Sequence, residues 1–254
     1  MKKFKHLGIT TMLFACFGFM ACNDDNGLSE ATITPEQEVD LGLSVNWAGW
    51  NLGATSPEES GDYYAWGETQ TKDTYYWSSY NMYDKEALIR IQDTEKLIKY
   101  QEYMLSINGI ISGSLGENVI EGIVAKDVAT ANWGDGWRMP TRDEIKELIE
   151  GCSWTWCTYN GVTGYKVEGA NGKSIFLPAA GCYKGPSLNN KGKFGLYWSG
   201  QWYDYWRDPL DDKYYTTKAF CLDLGIKDEN RFYDYSINCY DYHLGFSIRP
   251  VKSK

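Results

Sequence analysis

Histidine is scarce in this chain: its 254 residues hold two, His6 and His243. A His-Glu-x-x-His zinc site is therefore excluded, and any Ser-His-Asp or Cys-His arrangement beyond residue 21 has one candidate base. No Gly-x-Ser-x-Gly, no Walker A loop, no dinucleotide fingerprint and no Cys-x-x-Cys pair occurs. No apolar run is long enough to cross a bilayer as a stable helix. Cations are in the minority, 25 Lys and Arg against 34 Asp and Glu, for a net charge of −9. So acidic a chain repels phosphate backbones, which argues against nucleic acid as a partner. Paired carboxylates for glycoside cleavage stay open, because their separation in space decides that chemistry.

What is present begins with a processing signal. Lys2, Lys3 and Lys5 precede an apolar run from Ile9 to Ala21, and Cys22 follows, with Asn23, Asp24, Asp25 and Asn26 behind it. A Cys after a small residue at such a switch resembles a bacterial lipoprotein site, so Cys22 is the expected lipidation position. Cys16 is the rival, but cleavage there leaves Phe17, Phe19 and Met20 in water. Cleavage near Ala21 without lipid is the bland alternative. The acidic stretch behind Cys22 resembles the surface-export signal of Bacteroidetes lipoproteins. The expectation is an outer-membrane protein held at the cell surface by an N-terminal lipid, without a spanning segment. Residues 1–21 are then the signal peptide, 22–38 the lipidated Cys and a polar flexible tether, and 39–254 a single domain. Loss of the three lysines with the signal takes the net charge to −12.

Five cysteines remain: Cys152, Cys157, Cys182, Cys221 and Cys239. An odd number forbids full pairing even in an oxidising compartment. Most are expected to be free, small, buried residues. Cys221 and Cys239, in neighbouring late strands, are the pair to check.

From Val39 onward the pattern is one of short strands and turns. Leu43–Trp47 alternates like a strand. Gly164–Glu168 and Ser174–Leu177 read as a hairpin whose Asn171-Gly172 supplies positive φ angles. Lys218–Leu224 and Arg231–Asn238 read as a second antiparallel pair around Asp228-Glu229-Asn230. One helix is well signed: Thr141 to Glu144 form a capping box, Ile145, Leu148 and Ile149 repeat at helical spacing, and Gly151 is the expected stop. Residues 84–105, with Leu88, Ile91, Leu97, Ile98 and Tyr100, suggest further helix, and 106–124 read as an irregular insertion.

Six stretches in order, "VDLGLSVNWAGWNLGA" (39–54), "GDYYAWGET" (61–69), "ATANWGDGWRMPTRDEIKELI" (129–149), "GYKVEGANGKSIFLPAAG" (164–181), "YWSG" (197–200) and "GFSIRPV" (245–251), resemble the Fibrobacter succinogenes major paralogous domain family. "WGDGWRMPTRDEIKEL" and "GFSIRP" also resemble segments of the formylglycine-generating-enzyme-like branch of the C-type lectin fold. The resemblance implies an α+β, C-type-lectin-like domain with twisted antiparallel strands and long irregular loops. It implies no established activity. The acidic stretch usual before "A-x-x-x-W" in that family is diluted here by Val124, Ala125 and Lys126, leaving Asp127. Cys221 and Cys239 lack the motif that surrounds the late cysteines of formylglycine-generating enzymes.

Twenty Tyr and eleven Trp exceed what a core next to so many Asp is expected to absorb. Trp133, Trp137 and Trp198 are the expected core rings. The loops rich in aromatics and acids near 201–215 and 232–243 are the expected contact surface, with Trp202, Tyr203, Tyr205, Trp206, Asp234, Tyr240, Asp241, Tyr242 and His243 as ligand-binding residues. On strand phase, Tyr233, Tyr235, Ile237 and Cys239 form the core face and Phe232, Asp234, Ser236 and Asn238 the wet one. Flat rings beside Asp and Asn suit a glycan; Tyr-rich loops equally suit a protein partner. Asp208, Asp211 and Asp212 read as a solvated turn, with calcium as the rival reading and no other cofactor expected. The sequence thus points to a non-catalytic, surface-anchored binding module for a glycan or a surface protein. A cap subunit of a surface assembly is the second reading, and a hydrolase or oxidase the third.

Overall fold

The structure, a computed structural model, describes residues 28–81, 126–134, 136–203, 218–226 and 233–254, with the backbone alone at 206–207 and 214–215. The helix expected in 84–105, the insertion at 106–124, the turn at 228–230 and the Asp208, Asp211 and Asp212 loop lie outside the described residues.

The described chain is mostly antiparallel β structure with two α-helices, one of them a single short segment. The strands are β1 (Glu38–Val39), β2 (Val45–Ala48), β3 (Trp137–Arg138), β4 (Cys152–Tyr159), β5 (Val162–Gly169), β6 (Ser174–Pro178), β7 (Cys182–Lys184), β8 (Ser187–Asn189), β9 (Phe194–Trp202), β10 (Trp206–Arg207), β11 (Tyr214–Tyr215), β12 (Lys218–Gly225), β13 (Tyr235–Asp241) and β14 (Val251–Ser253). The helices are α1 (Val128–Trp133) and α2 (Arg142–Gly151). A four-stranded sheet in the order β1-β2-β14-β3 brings the two ends of the described chain together. Two three-stranded sheets, β4-β5-β6 and β13-β12-β9, form the body, and two ribbons, β7-β8 and β10-β11, complete the set.

Helix α2 forms for the reasons its sequence gives. Thr141 Oγ1 accepts from the Glu144 amide at 3.0 Å, and the Glu144 carboxylate accepts from the Thr141 amide at 2.8 Å. Arg138 then grips the same carboxylate with two N–H donors, at 2.9 and 2.6 Å. Ile145 and Leu148 are buried in a core shared with Val167, Leu177, Leu222 and Leu224. Gly151 does not stop the helix by a left-handed turn. It is the last helical residue, and its missing side chain makes room for Leu43, whose Cδ2 would lie 2.7 Å from a Cβ there.

The β5–β6 hairpin is as expected, but only Gly172 of the Asn-Gly pair has positive φ, at 79°. Asn171 works through its side chain instead, accepting from the Lys173 amide and donating to the Asp40 carbonyl. The turn with two left-handed residues is at Asn160 (49°) and Gly161 (74°), which join β4 to β5 and supply the geometry of a two-residue hairpin.

A second core gathers Trp66, Tyr75, Tyr80, Trp198, Tyr242, Phe246 and Ile248. Residues 245–247 run between its elements, bridging Tyr183, Tyr64 and Tyr197 in turn. Arg249 follows, fully buried, and donates to Asn51 Oδ1 at 2.9 Å, the Ala48 carbonyl at 3.1 Å and the Phe176 carbonyl at 2.7 Å. Of the expected core rings, Trp198 and Trp137 are buried, and Trp133 is half-buried, edge-on to Trp137 at 5.3 Å.

The stretch read as tether joins the fold well before residue 39. The Ala31 amide donates to the Thr158 carbonyl at 2.7 Å, and the Thr158 amide to the Ser29 carbonyl at 3.0 Å. The Glu30 carboxylate accepts from Thr158 Oγ1 and the Asn160 amide, and Ile33 is buried beside Cys157 and Phe176. An apolar residue and a β-edge docking site outweigh the polar composition of 28–38.

Candidate functional site

Register in β12 and β13 decides which late side chains reach solvent. Cys221 faces Asn238, and Phe220 faces Cys239. Neighbouring residues on a strand point to opposite faces, so Cys221 and Cys239 lie on opposite sides of the sheet and cannot pair. All five cysteines are free, with Cys157 and Cys221 buried. Burial pushes the Cys221 thiol well up and those of Cys152 and Cys182 up to about 11. Tyr235 and Ile237 pack on the α2 core as the strand phase required. The opposite face is more built than wet: Asp223 is buried, and its Oδ2 accepts from Tyr240 Oη at 3.1 Å and Asn238 Nδ2 at 3.3 Å.

Several expected contact residues prove to be structural. Tyr242 is fully buried, stacked on Trp66 with ring centroids 4.7 Å apart and flanked by Tyr80. Trp202 is buried in the same core. Tyr240 is half-buried, edge-on to Phe246. Tyr203 is half-buried against Phe220, and Asp241 is half-buried at the end of β13. Asp234 is exposed. Tyr205 and the side chain of Trp206 lie outside the described residues. The core takes up far more rings than the acidic composition suggested: among the described residues only Tyr76 and Tyr233, 49% and 68% exposed, are aromatic side chains open to water.

His243 survives as a candidate, for a local reason. The turn after β13 drives Tyr242 inward, and the Trp66 amide donates to the Tyr242 carbonyl at 2.8 Å. His243, next in the chain, is half-buried and packs against Trp77, with centroids 4.4 Å apart. Trp77 opens a short 3-10 turn, Trp77–Ser79, which Ser79 secures: its hydroxyl donates to the Thr74 carbonyl and accepts from the Tyr76 amide. Beneath lies a shielded ion pair, Lys72 to Glu68 at 2.7 Å, and Lys72 also donates to the Ser79 carbonyl. Exposed Tyr76 borders the patch and leans on Gly185, where any side chain would strike its ring.

Burial, helped by the charges of Lys72 and Lys184, lowers the His243 pKa to about 4, so the ring is neutral near pH 7. Its Nδ1 is buried and has no hydrogen-bond partner among the described residues. The cluster of half-buried Trp77 and His243 and exposed Tyr76 therefore sets aromatic rings beside a neutral imidazole. Tyr76 and Trp77 were missed in the sequence because "TYYWSSY" (74–80) lies far from the late loops. The signal was a local excess of rings next to small hydroxyl residues. Among the described residues no three His, Cys, Asp or Glu side chains converge as a metal site, and no helix is long and apolar enough to cross a membrane.

No family model, curated protein or solved structure matches this chain.

Proposed function

We propose that this protein is a non-catalytic binding module of the C-type-lectin-like kind, related to the major paralogous domain family and held at the outer-membrane surface by a lipid on Cys22. Its ligand is a glycan, contacted at Tyr76, Trp77 and His243. The observation that carries this reading is the packing of a half-buried, neutral His243 on the Trp77 ring at 4.4 Å, one residue from a fully buried Tyr242. The exposed Tyr76 phenol suits stacking on a sugar's C–H groups, and a neutral imidazole suits its hydroxyls. The pairing of β14 with β2 and the "WRMPT" entry into α2 support the lectin-like assignment.

A glycan array probed with the chain from Gly27 onward, with calcium and with EDTA, tests the reading. Selective binding to one sugar class that Trp77→Ala abolishes, with unchanged circular dichroism, is the expected result. A blank array from folded protein would reject the glycan and favour a protein ligand. EDTA sensitivity would show that a divalent cation takes part in binding.

A further inference from the structure

We infer that the glycan read into the Trp77 patch is an acidic one, its carboxylate or sulfate held by Lys184 beside the Tyr76 ring; if the patch binds no sugar, this falls with it. Charge is spread unevenly along the chain. Between Glu168 and Asp204 lie 35 residues without an Asp or Glu, in a chain that holds 34 of them in 254. That stretch includes the ribbon β7-β8 and the turn into β9, where Lys184, Lys191 and Lys193 are exposed. Elsewhere most described Lys and Arg side chains stand against a carboxylate, from the shielded Lys72, 2.7 Å from Glu68, to Lys254, 2.8 Å from Asp40. Lys184, Lys191 and Lys193 have no such partner among the described residues. On such a strip an anion gains attraction and escapes the repulsion of the acidic surface around it.

Backbone register brings Lys184 to the patch. Its neighbour Tyr183 bridges to Gly245, two residues after His243, and its other neighbour, Gly185, bridges to Tyr75, one residue before Tyr76. Paired backbone bonds hold both bridges. The amides of Tyr183 and Gly245 each donate to the other's carbonyl, at 2.8 and 3.1 Å, and those of Tyr75 and Gly185 do the same, at 2.8 and 3.0 Å. The hydroxyl end of Tyr76 covers Gly185, where a Cβ would lie 2.6 Å from its Oη. A sugar stacked on the exposed Tyr76 ring then has Lys184 as the free cation beside it, since Lys191 and Lys193 stand beyond Asn189 at the other end of the ribbon. The charges that act on His243 agree: they are those of Lys72 and Lys184, both positive. Glu68 answers Lys72, and no carboxylate among the described residues pairs with Lys184. Asp73, exposed three residues before Tyr76, is the one carboxylate on the loop 72–80. A Lys ammonium is a compact charge that takes a carboxylate or a sulfate alike, so the site fits both kinds of acidic sugar.

A glycan array that sets uronate- and sulfate-bearing oligosaccharides against their carboxyl-reduced and desulfated counterparts tests the inference, with calorimetry on the best binder. The expected result is selective binding of acidic sugars that weakens as salt rises from about 50 to about 500 mM. Lys184→Gln should weaken it about fivefold, and Lys184→Arg should keep it. Which acidic set binds decides between carboxylate and sulfate. Equal binding of the acidic sugars and their neutral counterparts would overturn the inference and leave the glycan reading standing. So would acidic binding that Lys184→Gln leaves unchanged, because the anion would then sit elsewhere. A blank array from folded protein would overturn both. The comparison of charged with neutral sugars needs no variant, so it decides the matter even if Lys184→Gln fails to fold.

Discussion

The indole of Trp66 and the phenol of Tyr242 stack 4.7 Å apart, their planes 19° from parallel, with the Trp66 amide bonded to the Tyr242 carbonyl. This one contact ties the early loop at 63–81 to the turn after β13 and sets which way His243 faces. Tyr242→Ala should cost about 3–5 kcal/mol, the usual range for a large buried ring. Chemical denaturation measures it, and a loss under 1 kcal/mol would mean the ring is not a core residue.

The acid limb of stability belongs to His243. Its folded pKa is lowered to about 4, first by burial and then by Lys72 and Lys184. The unfolded chain takes up this proton near pH 6.5, before the fold does. Stability from this group is thus complete above pH 6.5 and declines as pH falls toward 4, by about 1–3 kcal/mol in all. Asp241, at the end of β13, stands two residues away. Urea midpoints at pH 7.5 and pH 5 should differ in the unmodified protein and converge in His243→Gln. An equal pH dependence in the variant would assign the effect elsewhere.

At alkaline pH the tyrosines govern. Burial raises Tyr63 and Tyr75 to about 12 and drives Tyr64 and Tyr197 up as well. A raised phenol pKa gives stability that is present below pH 10 and lost as pH climbs through about 12. Arg249 opposes this, because burial lowers its pKa to about 10 and the fold then gains as the unfolded guanidinium outlasts the folded one. One arginine stands against four tyrosines, so net destabilisation should set in above pH 10. Phenolate absorbance should rise together with loss of the near-ultraviolet dichroism; phenolate appearing well before unfolding would contradict the burial of these rings.

Asp127 is the least replaceable carboxylate among the described residues. It is fully buried, and its two oxygens accept from the amides of Ala129, Thr130 and Met139 at 3.0, 3.0 and 2.9 Å. It thereby caps α1 and fastens the chain beyond β3 in one stroke. Asp127→Ala should lose on the order of 3 kcal/mol, from a lost cap and an orphaned amide. Thr141→Ala at the cap of α2 should lose only about 1 kcal/mol. Equal losses in thermal denaturation would contradict the difference in burial.

A thiol count completes the set. Peptide mapping without reductant should recover no Cys221–Cys239 bond, and Cys221 should resist alkylation until the protein unfolds. Recovery of that bond would show that the β12–β13 register is wrong.

The sequence carried local structure better than it carried exposure. The α2 cap was legible because Thr141 and Glu144 satisfy each other within four residues, and the β12–β13 pairing because both strands alternate. Tyr242 and Trp202 enter the core unannounced: strand alternation ends at Asp241 before the one and at β9's last residue with the other, and nothing local says which such ring reaches a distant core. Trp66, 176 residues before Tyr242, makes that decision. The polar stretch at 28–38 hid its docking for the same reason, since Thr158 lies 128 residues after Glu30. His243, expected at the contact surface, is half-buried, with its Nδ1 shielded from water. Its partner Trp77 was invisible because the pairing is one of loops far apart in the chain.

The docking of Ser29 to Ala31 on Thr158 has a mechanical consequence. Tension applied to the chain upstream of residue 28 enters the fold at the far end of β4, beside the Asn160-Gly161 turn. The load falls first on the two backbone bonds to Thr158 and on the Glu30 carboxylate, and only after these yield does it reach β1 at the opposite end of the segment. The strap acts as a fuse. Under traction it can peel away and release several residues while both large cores stay closed.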